Sequence, residues 1–462
     1  MFITTESAGK LMDHALGLGA DFCELYIEKT NNQRLSVKNK EVHSLTGGID
    51  FGIGVRLIYG DEVLYGYLNS IKDDEVMSVM NQLASNYKRE KRVTLNSLEL
   101  QQFNNQKIAE RKISDLSLLD EKVEYLKKVS EISLASSDKI SVAEAGVFQN
   151  NQQVEIFNSE GLHATDDRHY CRLSSNVIAE DGDEKSTGFF GPGMLQGWEI
   201  SGQYSPEQMS DMVVKQALVK LGAAPCPGGK MPVVIGNAFG GVIFHEACGH
   251  LLETTSVQKK SSVFWDKMDQ MIASPVVNAV DDGTIQNEWG SINIDDEGMA
   301  VQRTQLIKDG KLVAFLSDKV GELKTGHKRT GSGRRESYRY APASRMRNTF
   351  IDRGDSSLEE MISSIDRGIY CKHMGGGSVQ PGTGEFNFAA NESYMIENGK
   401  ITTPLKAATL IGTGPDVLKQ ISMVGSDLEL MAGMCGSVSG SVPVTVGQPA
   451  LKVDEILVGG QK

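Results

Sequence analysis

Apolar residues recur at helical spacing over residues 6–18, where Ala8, Leu11, Met12 and Ala15 fall at i, i+3, i+4 and i+7. From Asp21 to Thr30 the pattern alternates, with Cys23, Leu25 and Ile27 on one side, as in a half-buried strand. Gly52–Tyr59 and Glu62–Tyr67 read as paired strands around a Gly60-Asp61 turn, and Val76, Met77, Val79, Met80 and Leu83 mark a second helix. Residues 90–112 are polar and read as a boundary. Leu119, Val123, Leu126, Val129 and Ile132 then form the apolar stripe of a helix over Leu116–Leu134. Residues 140–176 turn to β patterning, with Ser159-Glu160-Gly161 as a hairpin turn, and Pro206–Leu221 is again helical.

The run Ala223-Ala224-Pro225-Cys226-Pro227-Gly228-Gly229 interrupts every periodicity and marks the clearest boundary. Beyond it, Met231–Gly236 reads as a buried strand leading into the helix that carries His245, and the remainder is rich in strands and turns. Asp309-Gly310 and Asn398-Gly399, each between apolar runs, are strong hairpin signals. The pattern predicts an α+β protein: an α/β amino-terminal region in two parts, residues 1–90 and 113–222, then a β-rich, barrel-like domain over 228–462.

Charge and composition narrow the function. The net charge of −13 argues against nucleic-acid binding, which needs a basic face, and against docking on anionic membrane. No apolar run approaches the length of a membrane span, and the first residues lack the basic and apolar regions of a signal peptide, so a cytoplasmic protein is expected. The six cysteines are scattered, without the spacing of a disulfide framework, and are expected to be free thiols.

The chemistry concentrates in Phe244-His245-Glu246-Ala247-Cys248-Gly249-His250. Two neutral imidazoles suit a divalent transition metal, and a carboxylate beside the first can accept a proton from water there. The common H-E-x-x-H spacing places both histidines on one helix face. Here one residue is extra, so a regular helix would separate the side chains by about 140°. Both can serve one ion only if the helix is distorted or ends before His250, and Gly249 sits where the break is needed. A catalytic zinc site needs a third protein ligand. His327, His373, Glu253, Cys371 and Cys435 are all candidates, with Cys435 set between glycines in Gly433-Met434-Cys435-Gly436. The polar segment Gly333–Tyr338 offers Arg334 and Arg335 as a clamp for a substrate carboxylate, or is simply a surface loop.

Several blocks in fixed order extend this reading. His245–Leu252, Asp281-Asp282-Gly283-Thr284, Ile294–Gly298, Gly333–Tyr338, the segment 397–413, Met434-Cys435-Gly436 and Pro443–Pro449 resemble the TldD branch of the TldD/PmbA metallopeptidase family. The likeness runs through residues 228–460 and more loosely through 20–220. It implies one zinc ion held by His245, His250 and Cys435, with Glu246 as general base. It also implies a homodimer or a heterodimer with a TldE/PmbA-type paralogue. The Gly-rich strands suit edge pairing with an extended peptide, so peptides or unfolded proteins are the expected substrates. The ligands alone leave open a hydrolase of non-peptide amides, or a regulatory subunit with a structural metal.

Overall fold

The structure, a computed structural model, describes all residues except 88, 105, 114, 381, 382, 407, 461 and 462. Residue 407 within the 397–413 block and the end of the 228–462 segment thus lie outside the described residues.

The amino-terminal half is built on one eight-stranded sheet. Its path runs Glu62–Leu68, Glu41–Tyr59, Phe22–Lys38, Ile140–Asn158, Leu162–Asp181 and Glu99–Gln101, with Glu184–Phe190 and Gly193–Met194 also paired to Leu162–Asp181. The helices Thr5–Gly17 and Asp73–Leu83 cover one end, burying Ala8, Leu11, Met12, Ala15, Val76 and Met80 against Leu25, Ile27, Ile53 and Val55. Leu118–Ala135 and Pro206–Lys220 cover the other, the latter started by a capping box in which Ser205 and Gln208 bond reciprocally. The two parts distinguished by sequence share this sheet: Phe22–Lys38 pairs antiparallel with Ile140–Asn158, from Glu24 opposite Asn158 to Lys38 opposite Glu144. The central strands are longer than the alternation suggested, because Thr30-Asn31-Asn32-Gln33-Arg34 continues the ladder without an apolar face to announce it.

The carboxy-terminal half is β-rich and contains a five-stranded barrel. Its wall runs Arg367–Gln380, Gly229–Ile235, Leu451–Gly459, Thr409–Thr413 and Glu385–Glu397, and it closes where Glu385–Glu397 pairs back onto Arg367–Gln380. A six-stranded sheet lies beside it, ordered Lys311–Leu312, Arg303–Lys308, Ala279–Asp282, Asn348–Ile351, Gly440–Gln448 and Glu429–Ser437. Both hairpin turns read from sequence are present: Asp309 and Gly310 (φ 48° and 79°) and Asn398 and Gly399 (φ 50° and 72°) are left-handed pairs, as a type I′ turn requires. The helix carrying His245 packs into the apolar core between barrel and sheet. No helix of the described residues is long and apolar enough to cross a membrane.

A buried ionic network ties the two halves together, and it places the guanidinium of Arg335 inside the protein. Arg335 donates to Glu24 Oε1 (2.5 Å), Asp296 O (2.7 Å) and the Tyr65 hydroxyl oxygen (3.2 Å). Glu24 is shared with Arg56, which also reaches Glu297 at 2.6 Å. Arg334 is buried and donates to Met346 O at 2.8 Å. Both guanidinium groups are therefore engaged within the protein, and that of Arg335 joins its halves. Losing one partner of such a network strands a buried charge. Arg335→Met is expected to lower unfolding stability by about 3–5 kcal/mol, read as an earlier urea midpoint, with no change in KM for a peptide.

Candidate metal centre

Strand Gly229–Ile235 leads through the 3₁₀ turn Ala238–Gly241 into the helix Val242–Ala247. That turn lies against strand Gly440–Gln448 so closely that a Cβ on Gly241 would stand 2.4 Å from Gly447 O, which leaves room only for glycine. The helix lasts six residues. Cys248 departs from helical geometry (φ −130°, ψ −48°), and the chain resumes as a 3₁₀ turn over Gly249–Leu252. This is the interruption that the long histidine spacing demands, placed at Cys248 and not at Gly249. Gly249 answers a steric need instead: a Cβ there would sit 2.2 Å from Met346 Sδ. The break brings the His250 ring back beside His245, with centroids 5.2 Å apart and planes at 80°.

The third group arrives from the far end of the chain. Cys435 lies on Glu429–Ser437, the outermost strand of the six-stranded sheet, opposite Val442. Its Sγ is 3.2 Å from His250 Nε2. Ligand atoms of His245, His250 and Cys435 all fall within 4.8 Å of one another. His245 is 1% exposed, yet neither ring nitrogen has a hydrogen-bond partner. Leaving such a group unsatisfied costs about 1–3 kcal/mol, so the pocket is shaped for a partner that takes its lone pair. Two imidazoles and a sulfur form a donor set that fits zinc.

Electrostatics agree with that fit. Burial alone raises a thiol pKa, but the adjoining His245 and His250 outweigh it and bring Cys435 down to about 3, so it is a thiolate. Burial pushes the thiols of Cys23, Cys171, Cys226, Cys248 and Cys371 up instead. The other candidates for third ligand lie elsewhere. Cys371 belongs to the apolar core of the barrel, His327 packs on Phe315, and His373 stands 3.6 Å from Glu392.

Glu253 has a different place. Its Oε2 is 3.0 Å from His250 Nδ1, and its Oε1 accepts from the Met346 N–H at 3.2 Å. A buried carboxylate can only accept from the ring, so Nδ1 carries a proton and Nε2 is aimed at the sulfur side. Its position three residues after His250 is the sequence signal for this role. Arg345, which no sequence pattern singled out, donates to the Cys435 carbonyl, to Ser439 Oγ (3.0 Å) and to Gly440 O (2.9 Å), fixing the hairpin that presents the sulfur. Glu246 follows His245 directly; its Oε2 is 3.8 Å from His250 Nε2 and its side chain is 29% exposed, so it is open to solvent. Glu253→Ala is expected to weaken zinc binding about 10–100-fold, measured by competition with a chromophoric chelator.

Family models cover nearly the whole chain: PmbA/TldA metallopeptidase domain 1 over residues 23–86, the central domain over 115–221 and the C-terminal domain over 228–460. The chain belongs to the PmbA/TldD metallopeptidase family. A Haemophilus influenzae relative of this PmbA/TldD protein, named a metalloprotease TldD homologue, is 37% identical, the alignment covering 99% of this chain and 97% of that one. A Saccharolobus solfataricus relative, named a zinc metalloprotease TldD homologue, is 26% identical over 98% of this chain and 99% of its own. The fold matches the crystal structure of TldE from Thermococcus kodakarensis with a TM-score of 0.78, at 20% identity and over 98% of this chain and 100% of that one.

Proposed function

We propose that this PmbA/TldD family chain is a zinc-dependent peptidase that cleaves unfolded or peptide substrates. His245, His250 and Cys435 would hold one ion. The observation carrying this reading is the buried, unpartnered His245 ring beside the Cys435 thiolate. A zinc ion bound there supplies Lewis acidity toward a scissile carbonyl and toward water. Glu246 takes a proton from the attacking water and passes it to the departing amine nitrogen. Glu253 keeps His250 in one tautomer and one orientation while charge develops nearby. Arg345 holds the Cys435 hairpin in register. Pairing with a second copy or with a TldE-type chain is proposed alongside, in keeping with the shared fold.

Elemental analysis of the purified protein, combined with hydrolysis of an unfolded polypeptide, tests the reading. One zinc per chain is expected, with hydrolysis lost on chelation and restored by zinc. Undiminished cleavage by metal-free protein would overturn it. Cleavage of small non-peptide amides with inert peptides would favour the amide-hydrolase alternative.

A further inference from the structure

A cavity of about 450 Å³ opens along the strand that carries Cys435. It reaches Gly433 and Met434, the residues immediately before the thiolate. Its walls are largely apolar, contributed by Phe189 and Tyr204 from the amino-terminal half and by Phe239, Met431 and Met434 from the carboxy-terminal half. Ala238, also in the wall, holds a left-handed backbone (φ 53°), a strain that non-glycine residues rarely carry. A concave apolar space with a few polar groups turned into it is the usual form of a ligand site.

One of those groups is Arg172. Its Nε donates to Gly191 O (3.1 Å) and its Nη2 to Ala432 O (3.2 Å). Among the described residues it has no ion pair and its Nη1 no hydrogen bond; its guanidinium carbon lies 5.9 Å from the centre of the Trp289 ring, and the residue lines the cavity. Burial lowers its pKa, and no nearby carboxylate offsets that effect; Glu429, further along the same wall, does not pair with it. The other interior arginines divide: Arg56, Arg168, Arg335 and Arg347 each meet an acidic partner, while Arg334 and Arg345 donate to backbone carbonyls and, for Arg345, to the Ser439 hydroxyl. A part-buried cation with a free donor beside an apolar space is a site for an anion.

Distance ties it to the metal centre. Ala432, to which Arg172 is bonded, is three residues before Cys435 on a continuous strand. That spacing is about 10 Å at roughly 3.3 Å per residue, which an extended peptide also covers in about three residues.

We propose that this cavity is a substrate subsite in which Arg172 binds a carboxylate of the peptide about three residues from the scissile bond, while the apolar walls take the intervening side chains. The proposal rests on the peptidase reading above. It specifies the substrates as short peptides with a free carboxyl terminus, or chains with an acidic side chain at that distance, with apolar residues between.

Binding to a Glu246→Gln protein separates this inference from the activity itself. The probe is an N-acetylated hexapeptide of alanine, leucine and phenylalanine, compared by calorimetry as free acid and as amide. A second pair carries an internal Asp or Asn in an otherwise identical amidated chain. Tighter binding of the acid by about 10-fold or more is expected, the range for hydrogen bonds to a charged group. A preference in the first pair assigns the terminus, and one in the second assigns a side chain. Adding Arg172→Gln should erase the preference and leave the amide affinity unchanged, while Arg172→Lys should keep part of it. Equal binding of acid and amide in both pairs, or an equal loss for both with Arg172→Gln, overturns the proposal. Failure of the wild-type protein to cleave any of these peptides would strike the peptidase reading, and the binding comparison would still decide the subsite.

Discussion

Glu246→Gln is expected to yield a folded protein with a full complement of zinc and peptide hydrolysis reduced by about 10²–10⁴-fold, the usual contribution of a positioned general base. The amide keeps the volume and polarity of the carboxylate but cannot accept a proton. Glu246 is outside the grouped donors His245, His250 and Cys435, so metal content should be untouched. Its partial exposure, 29%, spares the fold as well, because no buried partner is stranded. The measurements are zinc per chain, circular dichroism and turnover of an unfolded polypeptide on the same preparation. Turnover near the wild-type rate would remove Glu246 from the chemistry.

Cys435→Ser is expected to act on the opposite property. The thiolate is the only anionic member of the donor group, and the flanking imidazoles stabilise it down to a pKa of about 3. A serine hydroxyl does not ionise at neutral pH and is a poorer partner for zinc. Zinc affinity should fall by more than about 100-fold, beyond the loss typical of an outer hydrogen-bond partner such as Glu253. Competition titration measures the affinity. Cobalt substitution gives an independent reading, since sulfur-to-cobalt absorption should be present in the wild type and missing in the variant. Unchanged stoichiometry and affinity would show that the sulfur stands beside the ion without holding it. Together with Glu246→Gln, this variant separates loss of proton transfer from loss of metal.

Much of the architecture was legible because local periodicity tracks local structure. The helices at Thr5–Gly17, Leu118–Ala135 and Pro206–Lys220 and the hairpins at Gly60, Asp309 and Asn398 follow from apolar spacing and turn residues that need no distant partner. The strands of the amino-terminal sheet were harder to bound. Residues 30–34 and 41–49 are polar or exposed, and what keeps them extended is pairing with each other and, for 30–34, with the strand near residue 150.

The same division runs through the metal centre. Residue types and spacing alone determined that two imidazoles and a carboxylate lie within six residues, and that a regular helix could not bring both rings to one ion. Which distant group completes the set was decided by tertiary structure. His250 and Cys435 are 185 residues apart, and their contact depends on the registry of the strand Glu429–Ser437 with Gly440–Gln448 and on the packing of the latter against the turn before His245. Folding likewise assigned Glu253 to orienting a ring, Arg335 to the seam between halves, Arg334 to a buried backbone carbonyl, and Arg172 to the wall of a cavity. A side chain's chemistry belongs to its sequence. The neighbours that ionise it, desolvate it or leave it unpaired come from segments that only folding brings within reach.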